Sequence, residues 1–411
     1  MKSNHHKSLS IIILLSTLTG CFFKSDISET NRIILSNDHK LTLLNDSIDI
    51  YKEPAGQKTA FNKVPSPVDS NFEYIIKRVA NLPSISVDTI AVQANDIVIH
   101  GTTAVITYNY AGDLFTGALQ ILDISNKTAP VIIEEWKFPS IDINAAYIDG
   151  NTVLFGGAAN PDIWNFRSCI GKITLNERNS ESIESSIRQL PSYALTAITR
   201  SGNRYYASVG ARDGKLVILD LQLNIINTID MPDARDVDAF SGGVCVLTGT
   251  TDNTAPSGSL VTFDLNNNKI TTINLPRFSS DYHKATVEIN GGQTAMTGIS
   301  KGGCNVYDLK NGTALFSSPN PLIAAPLLSY TNSVSSDANL MFTANGNYGF
   351  RVFKIKDAGF SGTELIGYYP FEGLQANNIN YSANHIEFKA NFLFVASGVG
   401  GVTIYYLEKI I

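Results

Sequence analysis

Along "GALQILDISNKTAPVII", Gly117 to Ile133, apolar and polar side chains alternate, stop at Asp-Ile-Ser-Asn, and alternate again. A period of two marks a strand with one buried face, and Asp, Ser and Asn between the halves are turn formers. Strand-like segments of this kind recur at 117–125, 169–177, 214–222, 258–266, 303–311, 349–357 and 401–409. Aligned on the opening segment, one column holds Asp123, Thr174, Asp220, Asp264, Asp308, Lys354 and Tyr406, spaced by about 47 residues. A period of roughly 40 to 50 residues with no helical stripe predicts a β-propeller.

Within a unit the order of parts repeats. The third reads "ALTAITRSGN", "RYYASVGA", "GKLVILDL", "NIINTIDM", four short runs rich in Val, Ile, Tyr and Leu and separated by Gly, Asn and Asp. Such runs predict an antiparallel meander. Glycine usually opens the third strand and the Asp column closes it, where a carboxylate accepts bonds from backbone N–H groups just ahead and starts the turn. Asp123, Asp220, Asp264 and Asp308 are therefore read as turn makers before they are read as acids. The last unit supplies only three strands before Ile411, while "FEYIIKRVANLP" at 72–83 stands as an orphan strand ahead of the first complete unit. Pairing the two would satisfy an exposed edge. The expectation is all-β: a seven-bladed propeller of four-stranded antiparallel blades, its ring closed by an N-terminal strand pairing with the C-terminal blade.

"GALQILDISNKTAPVI" and "ANHIEFKANFLFVASGVGGVTIYYLE" resemble the LVIVD repeat, with its Gly-Leu-x-Ile-x-Asp-Ile-Ser turn, Pro-Val strand and later Ala-x-x-Val-x-Val-x-Gly-Asn strand. The resemblance covers most of 72–411, is strongest in the first, sixth and seventh units, and is weak in the second, where "GKITLNERNS" has lost the Asp. It implies an exported bacterial propeller, often a lipoprotein, and transfers no catalytic residue.

The N-terminal segment carries Lys2 and Lys7, an apolar run from Leu9 to Leu18, and Leu18-Thr19-Gly20-Cys21. That is the layout of an export signal, and the last four residues resemble the lipobox of bacterial lipoproteins. The implied lipidation at Cys21 uses the most nucleophilic side chain available, and several acyl chains on one residue anchor durably. Phe22 stands where an inner-membrane retention signal would carry Asp, which by that resemblance favours the outer membrane. The expected partition is a signal peptide at 1–20, a lipidated and partly ordered tether at 21–71, and the propeller at 72–411. Within the tether, "RIILSNDHKLTLLNDSIDIY" is read as a small hairpin lying on the propeller.

The formal charge is −6, and cleavage after residue 20 would remove two lysines and no acid. So acidic a chain is a poor partner for nucleic acid. Cys169, Cys245 and Cys304 fit neither a zinc nor a redox spacing. They read as small apolar residues inside strands, with a Cys245–Cys304 bridge open only if neighbouring blades bring the two together.

Two places break the repeat. Loops between second and third strands are long in the first, second and fourth units ("NYAGDLFTGA", "GGAANPDIWNFRSC", "TGTTDNTAPSGSL") and short in the last two. Extra loop length on one face of a rigid scaffold is where recognition concentrates. The candidate binding loop holds Asp162, Trp164, Asn165, Phe166 and Arg167, with Trp164 either an exposed anchor or a cap folded over the blade core. Aligned first strands also place Asp96, Asn144, Asp236 and His385 near one end of the channel, with Asp238, Glu288 and Glu387 two residues deeper or on the opposite face. This polar cluster either takes a divalent cation through oxygen ligands and one imidazole or is a wet channel. No cofactor is otherwise expected, no catalytic or metal residue is assigned, and no nucleophile elbow, His-Glu-x-x-His, P-loop or dinucleotide fingerprint occurs. The reading is a non-catalytic, lipid-anchored envelope scaffold whose long-loop face meets an envelope protein or a glycan. The alternative is a hydrolase or lyase acting on polysaccharide or peptidoglycan at the channel mouth.

Overall fold

The computed structural model describes residues 31–52, 72–210, 212–249, 257–276, 284–321, 329–371 and 381–410. The signal segment, Cys21, residues 53–71 of the tether and 250–256 of the fourth unit's long loop lie outside the described residues.

Five four-stranded sheets stand apart, and an eleven-stranded sheet holds the rest. Each separate sheet is an antiparallel meander in chain order, as in Ala194–Ser201, Arg204–Gly210, Lys215–Leu219 and Ile225–Asp230. The large sheet has two arms, each built on such a meander. One runs Ile90–His100, Thr103–Asn109, Gly117–Asp123, Val131–Phe138; the other runs Tyr381–Lys389, Phe392–Gly398, Val402–Lys409, Tyr74–Leu82. A single pairing, Gly398 with Ala94, joins them. Every recurring segment of the sequence is the third strand of its meander. The orphan strand pairs with the C-terminal one as expected, from Tyr74 opposite Lys409 to Leu82 opposite Val402.

The first strands lie innermost. Ile90–His100, Ile141–Asp149, Ala194–Ser201, Ala234–Phe240, Thr286–Asn290, Ser333–Asp337 and Tyr381–Lys389 neighbour one another in that order, and the last neighbours the first. Around them the sheets stack as blades. Apolar side chains from facing sheets fill the wedges between them, as Phe342, Phe350, Leu393, Val395, Tyr405 and Leu407 do near the C terminus. Cys169, Cys245 and Cys304 are free, buried thiols in strands. Burial pushes the Cys169 and Cys304 thiols up to about 12, which leaves them unreactive.

The turn chemistry follows the Asp column. Asp123 Oδ1 accepts from Ser125 N at 2.8 Å, Asp220 Oδ1 from Gln222 N and Asn224 N at 2.9 and 2.8 Å, and Asp264 Oδ1 from Asn266 N and Asn268 N at 2.9 and 2.7 Å. Side-chain bonds from Asn224 Nδ2 and Asn268 Nδ2 to Asp220 and Asp264, with these backbone bonds, lower those two carboxyls, and the Ser125 backbone bond lowers Asp123. The glycine opening a third strand has a second reason. At Gly401, φ is +81° and a Cβ would sit 2.0 Å from the Leu82 carbonyl oxygen, so only glycine lets the backbones approach. Where the second unit lost its Asp, the chain takes another path. Asn176 and Arg178 adopt positive φ, and Asn179 caps a short helix, Ser180–Ser186, by accepting from Glu181 N and Ser182 N. Only three residues, Arg188–Leu190, remain as the outer strand.

Residues 32–51 do not form a hairpin. Ile34–Leu35 adds to the outer edge of Val131–Phe138, and Thr42–Ile48 adds to the outer edge of Tyr74–Leu82. Tyr51 bridges to Tyr368 on the next sheet round, and Ile33 N donates to Glu184 Oε1 at 3.0 Å on the other side. The segment is a strap over the rim. A local hairpin would have left these outer edges bare, whereas strand addition satisfies the strap and the edges together. Its anchors are Ile33 and Ile50, at 3% and 5% exposure, each packed in a different inter-sheet core.

Truncating those anchors tests the strap. Ile33→Ala and Ile50→Ala should each lower unfolding free energy by about 2–4 kcal/mol in urea titrations, whereas Ile34→Ala, at a 43% exposed position, should be near neutral. Equal, small effects at all three would mean that the strap contributes nothing to stability.

Candidate functional site

The innermost strands surround a channel cavity of about 890 Å³. Apart from the pairings of Ala94 with Gly398 and Ala383 with Gly346, each pairs on one side only, so backbone donors on its other edge need partners. Side chains of the preceding sheet supply them. Asp236 Oδ2 accepts from Val287 N at 2.7 Å and Asp238 Oδ2 from Ile289 N at 2.8 Å. Glu288 Oε1 accepts from Ser336 N at 3.0 Å, while Ser333 Oγ and Ser335 Oγ accept from Ile386 N and Phe388 N at 2.8 and 3.0 Å. At the mouth, amides do the same toward carbonyls. Asn95 Nδ2 donates to Asn144 O at 2.8 Å, Asn144 Nδ2 to Leu195 O at 3.2 Å, and Asn332 Nδ2 to Ala383 O at 2.8 Å.

Of the expected channel cluster, the structure brings Asp96 and His385 together, with Asp96 Oδ1 3.3 Å from His385 Nδ1. Lys284, which sequence reasoning missed, reaches across from the opposite side of the channel. Its Nζ lies 3.2 Å from Asp96 Oδ1 and donates to the Asn95 carbonyl oxygen. Asp236 lines the same cavity, but both its oxygens are engaged, Oδ1 by Val237 N at 2.8 Å and Oδ2 by Val287 N. Asn144 lines the same cavity at its mouth, on the β-bulge of its strand as Asn95 is on that of the first, one residue before the position of Asp96. Among the described residues, no three His, Cys, Asp or Glu side chains converge as metal ligands.

The channel's electrostatics follow from burial. Desolvation raises Asp238 to about 6 and Glu288 to about 8. It carries Asp236 and Glu387 well above the carboxylate range, with the Asp96 charge adding to Asp236 and the Glu288 charge adding to Glu387. His385 goes the other way, down to about 3, through burial and the Lys284 charge, and is neutral.

On the long-loop face the structure sorts the second-unit residues. Asn160 caps the one-turn helix Pro161–Trp164 by accepting from Asp162 N at 3.0 Å, and Asn165 ends it in the left-handed region at φ 59°. Trp164 is 9% exposed and donates from Nε1 to Ser140 Oγ at 2.9 Å. It packs in the core with Phe166 beside it, ring centroids 5.9 Å apart. The exposed-anchor alternative for Trp164 is therefore corrected: a large ring at the foot of a short loop gains more by covering the blade than by facing water. Asp162, Asn165 and Arg167 remain exposed.

Arg167 organises a surface that the sequence did not reveal. Its guanidinium lies 5.7 Å from the Phe115 ring centroid and 4.9 Å from that of Tyr193. Phe115 belongs to the first unit's long loop and Tyr193 to the connection entering the third sheet. Asp142, one sheet further on, pins both ends of that first loop: its Oδ1 accepts from Tyr110 N and Thr116 N, each at 3.0 Å. Burial raises the Asp142 carboxyl to about 7. Tyr193, beside the guanidinium, is 49% exposed, and Leu114, next to Phe115 in the chain, is 48% exposed. The available signal was that each of these residues sits where its unit departs in length from the others.

Residues 93–137 match the LVIVD repeat, a stretch running from one innermost strand through to the outer strand of the same blade. No curated protein matches the chain by sequence. Among solved structures, the WD40 repeats of RRP9 superpose with a TM-score of 0.57 at 11% identity, covering 81% of this chain and 97% of that one. U3-55K superposes with a TM-score of 0.57 at 11% identity, over 80% and 98%. The WD40 β-propeller domain of Doa1 gives 0.55 at 11%, over 81% and 97%. At that identity the likeness is one of fold: the chain is an all-β propeller of four-stranded antiparallel blades.

The raised carboxyls carry a pH signature. A buried acid whose folded pKa exceeds its unfolded value holds its proton in the native state, so the native state binds more protons and stability falls as pH rises between the two values. For Glu288 that window runs from ordinary carboxylate pH to about 8. Glu288→Gln, which keeps an acceptor for Ser336 N, should flatten the decline in unfolding free energy between pH 5 and pH 8. A decline as steep as in the parent would remove Glu288 from that role.

Proposed function

We propose that this chain, which belongs to the LVIVD-repeat family, is a non-catalytic binding scaffold of the cell envelope, lipid-anchored through Cys21 to the outer membrane. In this reading the ring counts seven blades and is closed by Tyr74–Leu82 pairing with Val402–Lys409; the seven innermost strands and that pairing support it. The observation that carries the function is the Arg167 guanidinium held between Phe115 and Tyr193, with exposed Leu114 preceding Phe115 in the chain. Three successive blades contribute to this patch, so its geometry is set by the rigid ring and not by one loop. Arg and Tyr around a desolvated centre are the composition of protein-interface hot spots, which favours an envelope protein over a glycan as the partner. Asp162 and Asn165 supply the polar rim.

Crosslinking the lipidated protein in native cells and identifying what travels with it names the partner. Tyr193→Ala and Arg167→Ala should each weaken capture of that partner roughly thirtyfold, the value of about 2 kcal/mol at a hot spot, without shifting the melting temperature. Trp164→Ala should instead lower the melting temperature. Capture undiminished by loss of both Tyr193 and Arg167 would overturn the patch as the interface.

A further inference from the structure

The channel holds a second recognition surface, independent of the long-loop patch. His385 is 8% exposed and lines the cavity; Asp96 Oδ1 stands 3.3 Å from its Nδ1 and the Ile97 backbone is beside the ring, but neither nitrogen makes a well-formed hydrogen bond. Thr286 Oγ, also lining the cavity and buried, is equally unpartnered. Polar groups of this kind are rare inside a folded chain and point to an occupant. Below them, Glu387 is held by one long bond, from Ser335 Oγ at 3.4 Å to Oε2, and Glu288 by Ser336 N on the neighbouring strand. Both face the same cavity as Asp96.

The mouth shows which charge it accepts. The chain's own ammonium, Lys284 Nζ, is seated there on the Asn95 carbonyl oxygen and Asp96 Oδ1. Deeper, the chain's own cations are few: Arg235 lines the cavity but is turned to Asp233 at 2.8 Å, and Lys389, exposed at the far end of its strand, lines the cavity with a charge that favours the ionised forms of Asp238, Glu288 and Glu387. Asp236 and Asp238 have their oxygens on backbone donors. The level of Glu288 and Glu387 lies two residues along the strands from the level of Thr286 and His385, or about 7 Å. A point ion would need converging ligands, and none converge among the described residues. Carboxyls at two levels of a cavity of about 890 Å³ instead fit a chain of ammonium groups joined by short methylene spacers.

We propose that the channel binds a linear polyamine, its ammonium groups taken by Glu387, Glu288 and Asp96 with the His385 ring against the chain. Docking an ammonium on Glu288 or Glu387 ionises a carboxyl that is protonated in the empty channel, so each polyamine bound displaces protons to solvent. Affinity then rises with pH until these acids are ionised. Asp96, Asp236, Asp238, His100, His385, Arg235, Lys284 and Lys389 share the cavity; of these Asp236 and Asp238 are held by backbone donors, Arg235 is paired with Asp233, His385 stays neutral throughout, and the Lys389 charge already favours ionised Glu288 and Glu387.

Titration calorimetry of the whole protein with spermine and with putrescine tests this. Saturable spermine binding is expected, tighter than putrescine, with an enthalpy that depends on buffer ionisation and an affinity at least tenfold higher at pH 8 than at pH 5.5. Glu387→Gln should lose at least tenfold in affinity at pH 8 while melting no lower than the parent; if that variant does not fold, Glu288→Gln gives the same readout. Lys284→Met, which frees Asp96, should bind spermine more tightly. The proposal is overturned by an absence of saturable heat at millimolar spermine, by unchanged affinity in the folded Gln variant, or by calcium ions displacing spermine at equal concentration. None of these outcomes bears on the Arg167 patch, which is read by partner capture.

Discussion

A strand that lines the centre of a ring of blades pairs over most of its length on one side only, and its other edge carries backbone donors with no sheet to receive them. Everything in this protein's centre answers that constraint. Asp236, Asp238, Glu288, Ser333 and Ser335 reach from one innermost strand to N–H groups of the next, and Asn95, Asn144 and Asn332 close the mouth in the same way through carbonyls. An unpaired buried N–H costs about 1–3 kcal/mol, so these side chains belong to the scaffold first. They also set the stagger between blades. The apolar wedges behind them can then pack at full density.

The same economy explains the channel's chemistry. Carboxyls recruited as acceptors are drawn into a place where their charge is poorly solvated, which raises their pKa without any catalytic purpose. Where a channel group has a backbone donor on each oxygen, as Asp236 has, its role is complete. Where it has one long bond or none, as with Glu387 and Thr286, something remains for a ligand to satisfy. Function in a repeat protein is found where the repeat's own requirements leave a remainder.

The outer rim has the opposite difficulty. Strands there pair inward and face water outward, and at the junction of first and last blades the N-terminal strap adds a further strand to each. Its two buried isoleucines enter different cores, so the strap ties blades that are far apart in sequence. Sequence reading placed the orphan strand at 72–83 correctly because it repeats the pattern of a fourth strand. The strap was misread as a hairpin because "RIILSNDHKLTLLNDSIDIY" carries strand periodicity and turn residues, and nothing local distinguishes self-pairing from pairing with an edge.

The contrast runs through the candidate residues as well. Asp123, Asp220 and Asp264 were legible as turn makers, since an Asx turn is decided within four residues. Trp164 was not legible: its alternation fits a buried ring and an exposed one equally, and only the position of Ser140 decides. Asn144 was legible as a channel residue, but not as a bulge residue beside Asn95, because a bulge shifts register without a sequence mark. Lys284, Phe115 and Tyr193 could not be found at all, because each acts through a residue on another blade. The sequence by itself determined the repeat, its strands and its turns, since hydrophobic period and turn chemistry are local. Which side chains meet across the channel, which ring is buried, and which arginine stands between two aromatics were decided only by tertiary structure, because those depend on distances between blades that no local pattern encodes.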